Sequence, residues 1–300
     1  MLAVVGDLVE DIIIWPDGPM QRGTDNRVQI FRTRGGSAAN VAAFAAPRHP
    51  TRFIGCVGED AIGESLAQQL GAHGVDVRVQ HRGATGTIVI LIEPDGERTM
   101  LPSRGAVTLL DDVDPSWAED VELLHVPAYS FDGSPLRDSA EALIGEVRAR
   151  GGLISIDASS THVIQNLGAS SFLRYISAVR PDFFIANDDE AAELGLLDSG
   201  GAADILRENP GTTFVLKAGP RPTRVIRHEM SPVVVDVTPI DDILDSTGAG
   251  DAFAAGFLSG FLQTGDLTAS CEAGHAVAAA VLRSPGATAA PAGDAIIAEH

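Results

Sequence analysis

Apolar positions along the chain fall into short runs separated by glycine, proline and charge. Residues 2–5 form an unbroken apolar stretch stopped by Gly6, the length and texture of a buried strand. Residues 12–15 continue extended until Pro16, Gly18 and Pro19 break the run. Residues 28–32 alternate as a half-exposed strand does. Gly35-Gly36 closes that strand, and Ser37 stands where it can cap a helix reaching about Ala46. Residues 52–57 predict a further strand and residues 60–70 a helix, with Gly71 and Gly74 as stop signals. A hairpin pattern follows, 86–93 and 97–101 around a Pro94-Asp95-Gly96 turn. From Val121 the texture becomes strand–helix–strand: a strand at 121–126, a helix at 135–150, and strands at 153–157 and 182–186, the last running into the acidic segment 187–194. Strands at 212–217, 224–227 and 233–237 come next, and two long helices close the pattern over 249–263 and 267–283.

Helices alternating with apolar strands predict an α/β fold, a doubly wound, mostly parallel sheet flanked by helices. Residues 1–300 read as one large α/β domain without repeats or linkers. Two stretches, about 12–33 and 85–104, do not fit the alternation and predict extra strands forming a small separate β-sheet. A hydrophobic fraction of 45% suits a soluble globular chain, and no apolar run nears the roughly 18 residues a membrane span needs. No basic segment precedes the apolar start, so a signal peptide is not expected. Cys56 and Cys271 lack metal-ligand spacing and are expected to be buried thiols of a cytoplasmic protein. A formal charge of -20 argues against a nucleic-acid partner. It also requires that any anionic ligand be held by amide dipoles, a metal ion or a few cations.

Among the 21 lysines and arginines only Lys217 is a lysine, and Ala218 follows it, so there is no G-x-x-x-x-G-K-[ST] phosphate loop. No H-R-D or D-F-G accompanies that lysine, Phe253 occupies the third-glycine place of a dinucleotide fingerprint, and neither H-E-x-x-H nor G-x-S-x-G occurs. The strongest signal is Asp245-Ser246-Thr247-Gly248-Ala249-Gly250-Asp251 at the start of a long helix. Small residues at 248–250 let backbone amides approach an anion, and the helix start adds its free N–H groups and positive dipole end. Such donors suit phosphoryl transfer, in which charge builds on the oxygens of the moving group. Asp251, in the first turn, is placed to accept the proton of an attacking hydroxyl. A glycine turn with an acidic first-turn residue accounts for the same pattern structurally.

The segment 245–251 resembles the D-T-x-G-A-G-D signature of the ribokinase-like, PfkB-type carbohydrate kinase family, with Ser246 for the commoner threonine. Gly35-Gly36-Ser37-Ala38-Ala39-Asn40 resembles the family's G-G-x-x-x-N, and Asn187-Asp188-Asp189-Glu190 its N-x-x-E. Order and spacing agree over nearly the whole chain. The resemblance implies an ATP-dependent sugar kinase that phosphorylates a hydroxymethyl group, with ATP and Mg2+ required and the small sheet acting as a lid. Asp251 would be the base, with Gly248, Ala249 and Gly250 as the anion hole. Asp11, Gly35, Gly36 and Asn40 would hold sugar hydroxyls, while Arg98 and Arg104 could face an anionic group. Val9 stands where ribokinase has asparagine, which leaves the sugar open. Asn187 and Glu190 would order Mg2+ through water, and equally read as an N-cap with a first-turn acid. Lys217, Gly219 and Arg221 resemble the loop over the ATP phosphates, joined by Thr247, although Pro222-Thr223 replaces the usual glycine. His275 would lie beside adenine, or fill the core. Asp245, the Thr247 carbonyl and Gly286 correspond to the K+ site of some members. A homodimer joined through the lids is also implied. A nucleoside kinase is the alternative, with Trp15 near the site and Trp117 and Phe131 unplaced. A catalytically silent sensor would have lost Asp251 or the glycine turn.

Overall fold

The computed structural model describes residues 1–93, 97–197, 199–241 and 243–283. In chain order the first half runs β1 Leu2–Gly6, β2 Val9–Pro16, β3 Val28–Gly35, α1 Ser37–Ala45, β4 Thr51–Val57, α2 Ala61–Ala72, β5 Asp76–His81, β6 Thr87–Ile92 and β7 Arg98–Ser103. Then come β8 Leu123–Pro127, α3 Leu136–Ala149, β9 Leu153–Asp157, α4 Thr161–Leu167, α5 Ala169–Val179, β10 Phe183–Asn187 and α6 Asp188–Glu193. The remainder is α7 Ser199–Glu208, β11 Thr213–Ala218, β12 Arg221–Ile226, β13 Val233–Val235, α8 Ala249–Thr264 and α9 Leu267–Leu282.

One sheet has the order β13-β12-β11-β10-β9-β8-β1-β4-β5. Neighbours from β11 across to β5 pair in parallel, while β12 and β13 return antiparallel at one edge. Its central strands are apolar on both faces because helices cover both. Ala3 and Val5 join one core with β8, β9, α3, α4 and α5; Leu2 and Val4 join the other with α1, α2, α8 and α9. Phe183 and Phe184 repeat this alternation one strand pair away, the first against Phe257 and the second against Phe172 and Phe214.

The segments that broke the alternation form a second sheet, ordered β3-β2-β6-β7. Strand β2 pairs antiparallel with β3 and parallel with β6, and β6 antiparallel with β7. The Pro94-Asp95-Gly96 turn lies outside the described residues. Strand β2 begins at Val9, three residues before the expected start. Glu10 and Asp11 are polar, but ladders on both sides hold them extended.

Several elements depart from expectation. Strand β5 was not anticipated, since its Asp-Val-Arg-Val-Gln-His sequence is the half-exposed edge beside β4. Helices α4, α5 and α7 also escaped the pattern; α4 is seven residues long, too short for a 3.6-residue period to stand out. Ser37 does not cap α1. Gly36 is the N-cap residue with no side-chain cap, and Asp7, beyond β1, accepts from the amides of Ser37 and Ala38 at 3.1 Å each.

Helix α8 is buried from Ala252 to Gly260, between α1 and α9. Small residues set its closeness to α9: a Cβ on Gly256 would stand 2.5 Å from the carbonyl oxygen of Ala273, and one on Gly274 2.8 Å from the Phe253 ring. This contact fixes where the N-terminus of α8 lies. Gly256→Ala is therefore expected to lower stability by about 1–3 kcal/mol, the cost typical of overpacking. Thermal denaturation checks this, and an unchanged melting temperature contradicts it.

Candidate active site

The chemistry-bearing residues gather at the carboxyl ends of the parallel strands, where open α/β sheets place their ligands. Asp7 follows β1, Asp157 ends β9, Asn187 ends β10 and Lys217 lies near the end of β11. The N-terminus of α8 faces them. Its N-cap, Gly248, takes the left-handed conformation at φ 75°, which glycine adopts without a Cβ penalty. Asp245 braces the turn, accepting from the amide and the hydroxyl of Thr247 at 2.8 Å each, and also pairs with Arg98 of the lid sheet. The Ala249 amide reaches the Ser246 carbonyl at 3.3 Å, whereas Gly250 and Asp251 belong to the first helical turn, whose amides have no carbonyl four residues back.

Before this turn lies a cavity of about 530 Å³. One end is apolar, lined by Val237, Pro239, Ile240, Ile243 and Leu282 beside His275. The other is polar, lined by Asp157, Asn187, Glu190, Lys217 and residues 248–251. Of the expected nucleotide residues, Asn187, Lys217, Gly219, Gly248, Gly250 and His275 all line it. Arg221 and Thr247 do not; Arg221 pairs with Asp188 on the surface, and Thr247 turns its hydroxyl to Asp245. His275 shares a 2.8 Å hydrogen bond with Thr223 and packs on Phe253, and burial pulls its pKa down. Asn187 and Glu190 form a reciprocal capping box at the start of α6. Burial and the neighbouring Asp157 push the Glu190 carboxyl up, partly opposed by Lys217.

Lys217 is the cation of the polar end. Its Nζ donates to Asp157 at 2.8 Å and would stand 3.2 Å from a Cβ on Gly250, placing the ammonium against the glycine turn. Burial pulls its pKa down, but Asp157, Glu190 and Asp251 outweigh this and the ammonium persists.

Asp251 joins this cavity to a second group under the lid sheet. Its carboxylate accepts from Ser37 Oγ at 2.7 Å and from Asn40 Nδ2 at 3.0 Å. Burial raises its pKa to about 7, against the pull of those two donors. Asp11 is likewise raised to about 7, by burial first and then by Asp7, with Arg34 opposing, and its Oδ1 is buried without a hydrogen-bond partner. Gly35 permits this placement, since a Cβ there would lie 2.2 Å from the Asp11 carboxyl. Gly36, at φ 103°, lets the chain turn over the Asp7 carbonyl. Arg104 is held by Asp132 at 3.2 Å and by the Tyr129 carbonyl at 2.9 Å. Gly286 lies outside the described residues.

Asp7, Arg34 and Asp157 went unnoticed in the sequence, and Ser37 was read as a helix cap rather than as a partner of Asp251. Asp157 had a signal, an acid ending a buried parallel strand. Ser37 and Arg34 flank Gly35-Gly36, but only the folded chain shows that they bear on Asp251.

The fold and this arrangement define a class: a lidded α/β enzyme with a glycine-lined helix start beside a carboxylate held near neutrality. The pfkB family carbohydrate kinase model matches residues 1–293, and the chain belongs to that family. It is therefore a phosphotransferase with an alcohol acceptor. The ATP-dependent ribose-1-phosphate kinase of Halopiger xanaduensis is 30% identical over 275 residues, covering 88% of this chain and 85% of that protein. The adenosine kinase of Sinorhizobium meliloti superposes with a TM-score of 0.82 at 22% identity, covering 95% of this chain and 94% of that one. An Escherichia coli chain named as a ribokinase II, solved with ATP and Mg2+, superposes at 0.81 with 20% identity, covering 95% and 94%. At such identities these two likenesses concern the fold.

Carboxyl-carbon NMR of the aspartates is expected to show at least two groups titrating near pH 7, where ordinary aspartates titrate at about 4. Asp251→Asn should remove one of them. A full set titrating below about 5 would contradict the burial argument.

Proposed function

We propose that the protein transfers the γ-phosphoryl group of ATP to a hydroxymethyl group of a small sugar or sugar derivative, with Asp251 as base. The observation that carries this reading is the position of Asp251. Its carboxylate is reached from one side by Ser37 and Asn40, under the lid, and on the other lines the cavity shared with Lys217 and the glycine turn. An acceptor hydroxyl between the two groups meets a proton acceptor and, beyond it, donors for the phosphoryl oxygens.

The base is suited to the task, because a carboxyl raised to about 7 takes a proton more readily than an ordinary aspartate while still ionising near neutrality. The partnerless Oδ1 of Asp11 supports a role in accepting from a sugar hydroxyl. As the phosphoryl group moves, the first-turn amides of α8 and the Lys217 ammonium oppose its growing charge. The apolar end of the cavity, beside His275, suits the adenine ring.

Mg2+ fits the polar end without a protein cage. Among the described residues no cluster of three or more His, Cys, Asp or Glu could hold a metal. Asp157 nevertheless disfavours ionisation of the neighbouring Glu190, which a hydrated cation relieves. Mg2+ would neutralise the phosphates of ATP, with Glu190 and Asn187 holding its water shell. For a monovalent cation, Asp245 and Thr247 are the described candidates.

A nucleoside acceptor is the second reading. The register places Trp15 on the same lid face as Asp11, together with Phe31, and both aromatic rings are exposed enough to stack on a base. Phe131 is instead core, with Trp117 packed against it.

The opposite lid face carries Ile12, Ile14, Ile30, Val89, Leu91 and Leu101. Ile30 and Leu101 are 56% and 57% exposed, which favours a homodimer that buries this face between two lids. The buried free thiols Cys56 and Cys271 favour a reducing, cytoplasmic setting. No helix among the described residues is long and apolar enough to cross a membrane.

Asp251→Asn is expected to lower kcat by roughly 10²–10⁴-fold while ATP still binds, the scale of general-base catalysis. Comparable turnover in that variant refutes the assignment. An ADP-release panel of sugars, sugar acids and nucleosides, run with and without potassium, separates the acceptor classes. Sedimentation equilibrium is expected to give twice the chain mass for the wild type and one chain mass for Ile30→Glu; a monomeric wild type rules out the lid contact.

A further inference from the structure

Arg34 immediately precedes Gly35-Gly36 and is 3% exposed, although arginine is among the residues least often buried. Its Nη1 donates to Asn40 Oδ1 at 3.1 Å, and Asn40 Nδ2 donates to Asp251 Oδ2 at 3.0 Å. The three side chains thus form a chain from a buried cation to the carboxylate.

An asparagine amide can present either end to a neighbour. A guanidinium only donates, so the end facing Arg34 must be the carbonyl oxygen, and the end facing Asp251 must be the NH₂. Without Arg34 the amide is free to turn its oxygen toward Asp251, which would repel the ionised carboxylate. The same guanidinium answers the carboxylates nearby. Asp11 and Asp251 both act on it, and it acts on Asp11, which also feels Asp7. On the nucleotide side Asp251 faces Asp157 from β9 and Lys217 from β11, and Ser37 supplies the second hydrogen bond from α1. His73, at the end of α2, feels Arg34, and Glu190 on α6 and Tyr129 are further titratable groups near this centre. Lys217 is the cation beside the glycine turn, and Arg34 stands behind Asn40 at the other end of the Asp251 contacts.

We propose that Arg34 is a positioning residue for phosphoryl transfer: through Asn40 it fixes the hydrogen bond that orients the Asp251 carboxylate, and its charge favours the ionised form of that carboxylate. Its side chain donates to Asn40 and acts on Asp251 through that residue. The role rests on Asp251 being the base.

The sign of the pH effect follows directly. Asp251 accepts a proton only when ionised, and a nearby cation favours that form, so loss of Arg34 moves the acid limb of activity to higher pH. Arg34→Gln is expected to lower kcat about 10- to 100-fold at neutral pH, the size typical of a hydrogen bond to a charged group. Its KM for ATP should stay within about twofold, since the nucleotide side is untouched. Arg34→Lys retains the charge and should keep the acid limb near the wild-type position. A double-mutant cycle with Asn40→Ala supplies the readout that a merely structural role would not move. At a pH above the acid limb of every variant, where the charge effect no longer contributes, replacing Arg34 in the Asn40→Ala background costs little further kcat if it acts through Asn40.

Additive losses in the cycle, or an Arg34→Gln profile with the wild-type limb and kcat, overturn the proposal. If the glutamine variant does not fold, the same cycle with Arg34→Lys decides by the same criterion. An active Asp251→Asn enzyme would instead sink the base assignment itself, so the two failures are distinguishable.

Discussion

The site depends on burying several carboxylates close together in a molecule that is already strongly acidic. Asp7, Asp11, Asp157, Glu190 and Asp251 converge where β1, β9 and β10 end and α8 begins, and burial works against the charge of Asp11, Glu190 and Asp251. Desolvating a charge is expensive unless it is paired or hydrogen-bonded. Two cations, the half-buried Lys217 and the buried Arg34, and the donors Ser37 and Asn40 supply that compensation. The residual strain is useful, because a carboxyl poised near neutrality accepts a proton more readily than an ordinary one.

A chain carrying -20 formal charges must also draw a nucleotide anion into this acidic neighbourhood. Local fields decide the matter rather than the total. The helix start, the Lys217 ammonium against Gly250 and the openness of the glycine turn present positive potential where the phosphates would lie. The packing of α8 on α9 through Gly256 and Gly274 is what holds that helix start in place, so the electrostatics of the site are anchored in the core.

The second sheet brings Asp11 to the same centre and is tied to the nucleotide side by the Arg98–Asp245 ion pair. Asp245 also braces the turn before α8, so lid and anion-binding loop share one residue. The face of the sheet bearing Asp11 also carries Ile13, Trp15 and Phe31.

The parallel sheet was legible in the sequence because strands buried on both faces appear as unbroken apolar runs, as at residues 2–5 and 183–186. The start of α8 and its Asp251 were legible because glycines, an acid and a long apolar helix follow one another locally. Edge strand β5 and the short helices α4 and α7 were not, since weak or brief periodicity gives way to tertiary contacts. The Ser37 position shows the limit most clearly: a serine before an apolar run reads as a helix cap, yet Asp7, thirty residues away, takes that place and frees the hydroxyl for Asp251. Local spacing determined which groups could perform chemistry. Only the fold decided which of them meet, because Arg34, Asn40 and Asp251 become one chain of hydrogen bonds through contacts up to 211 residues apart.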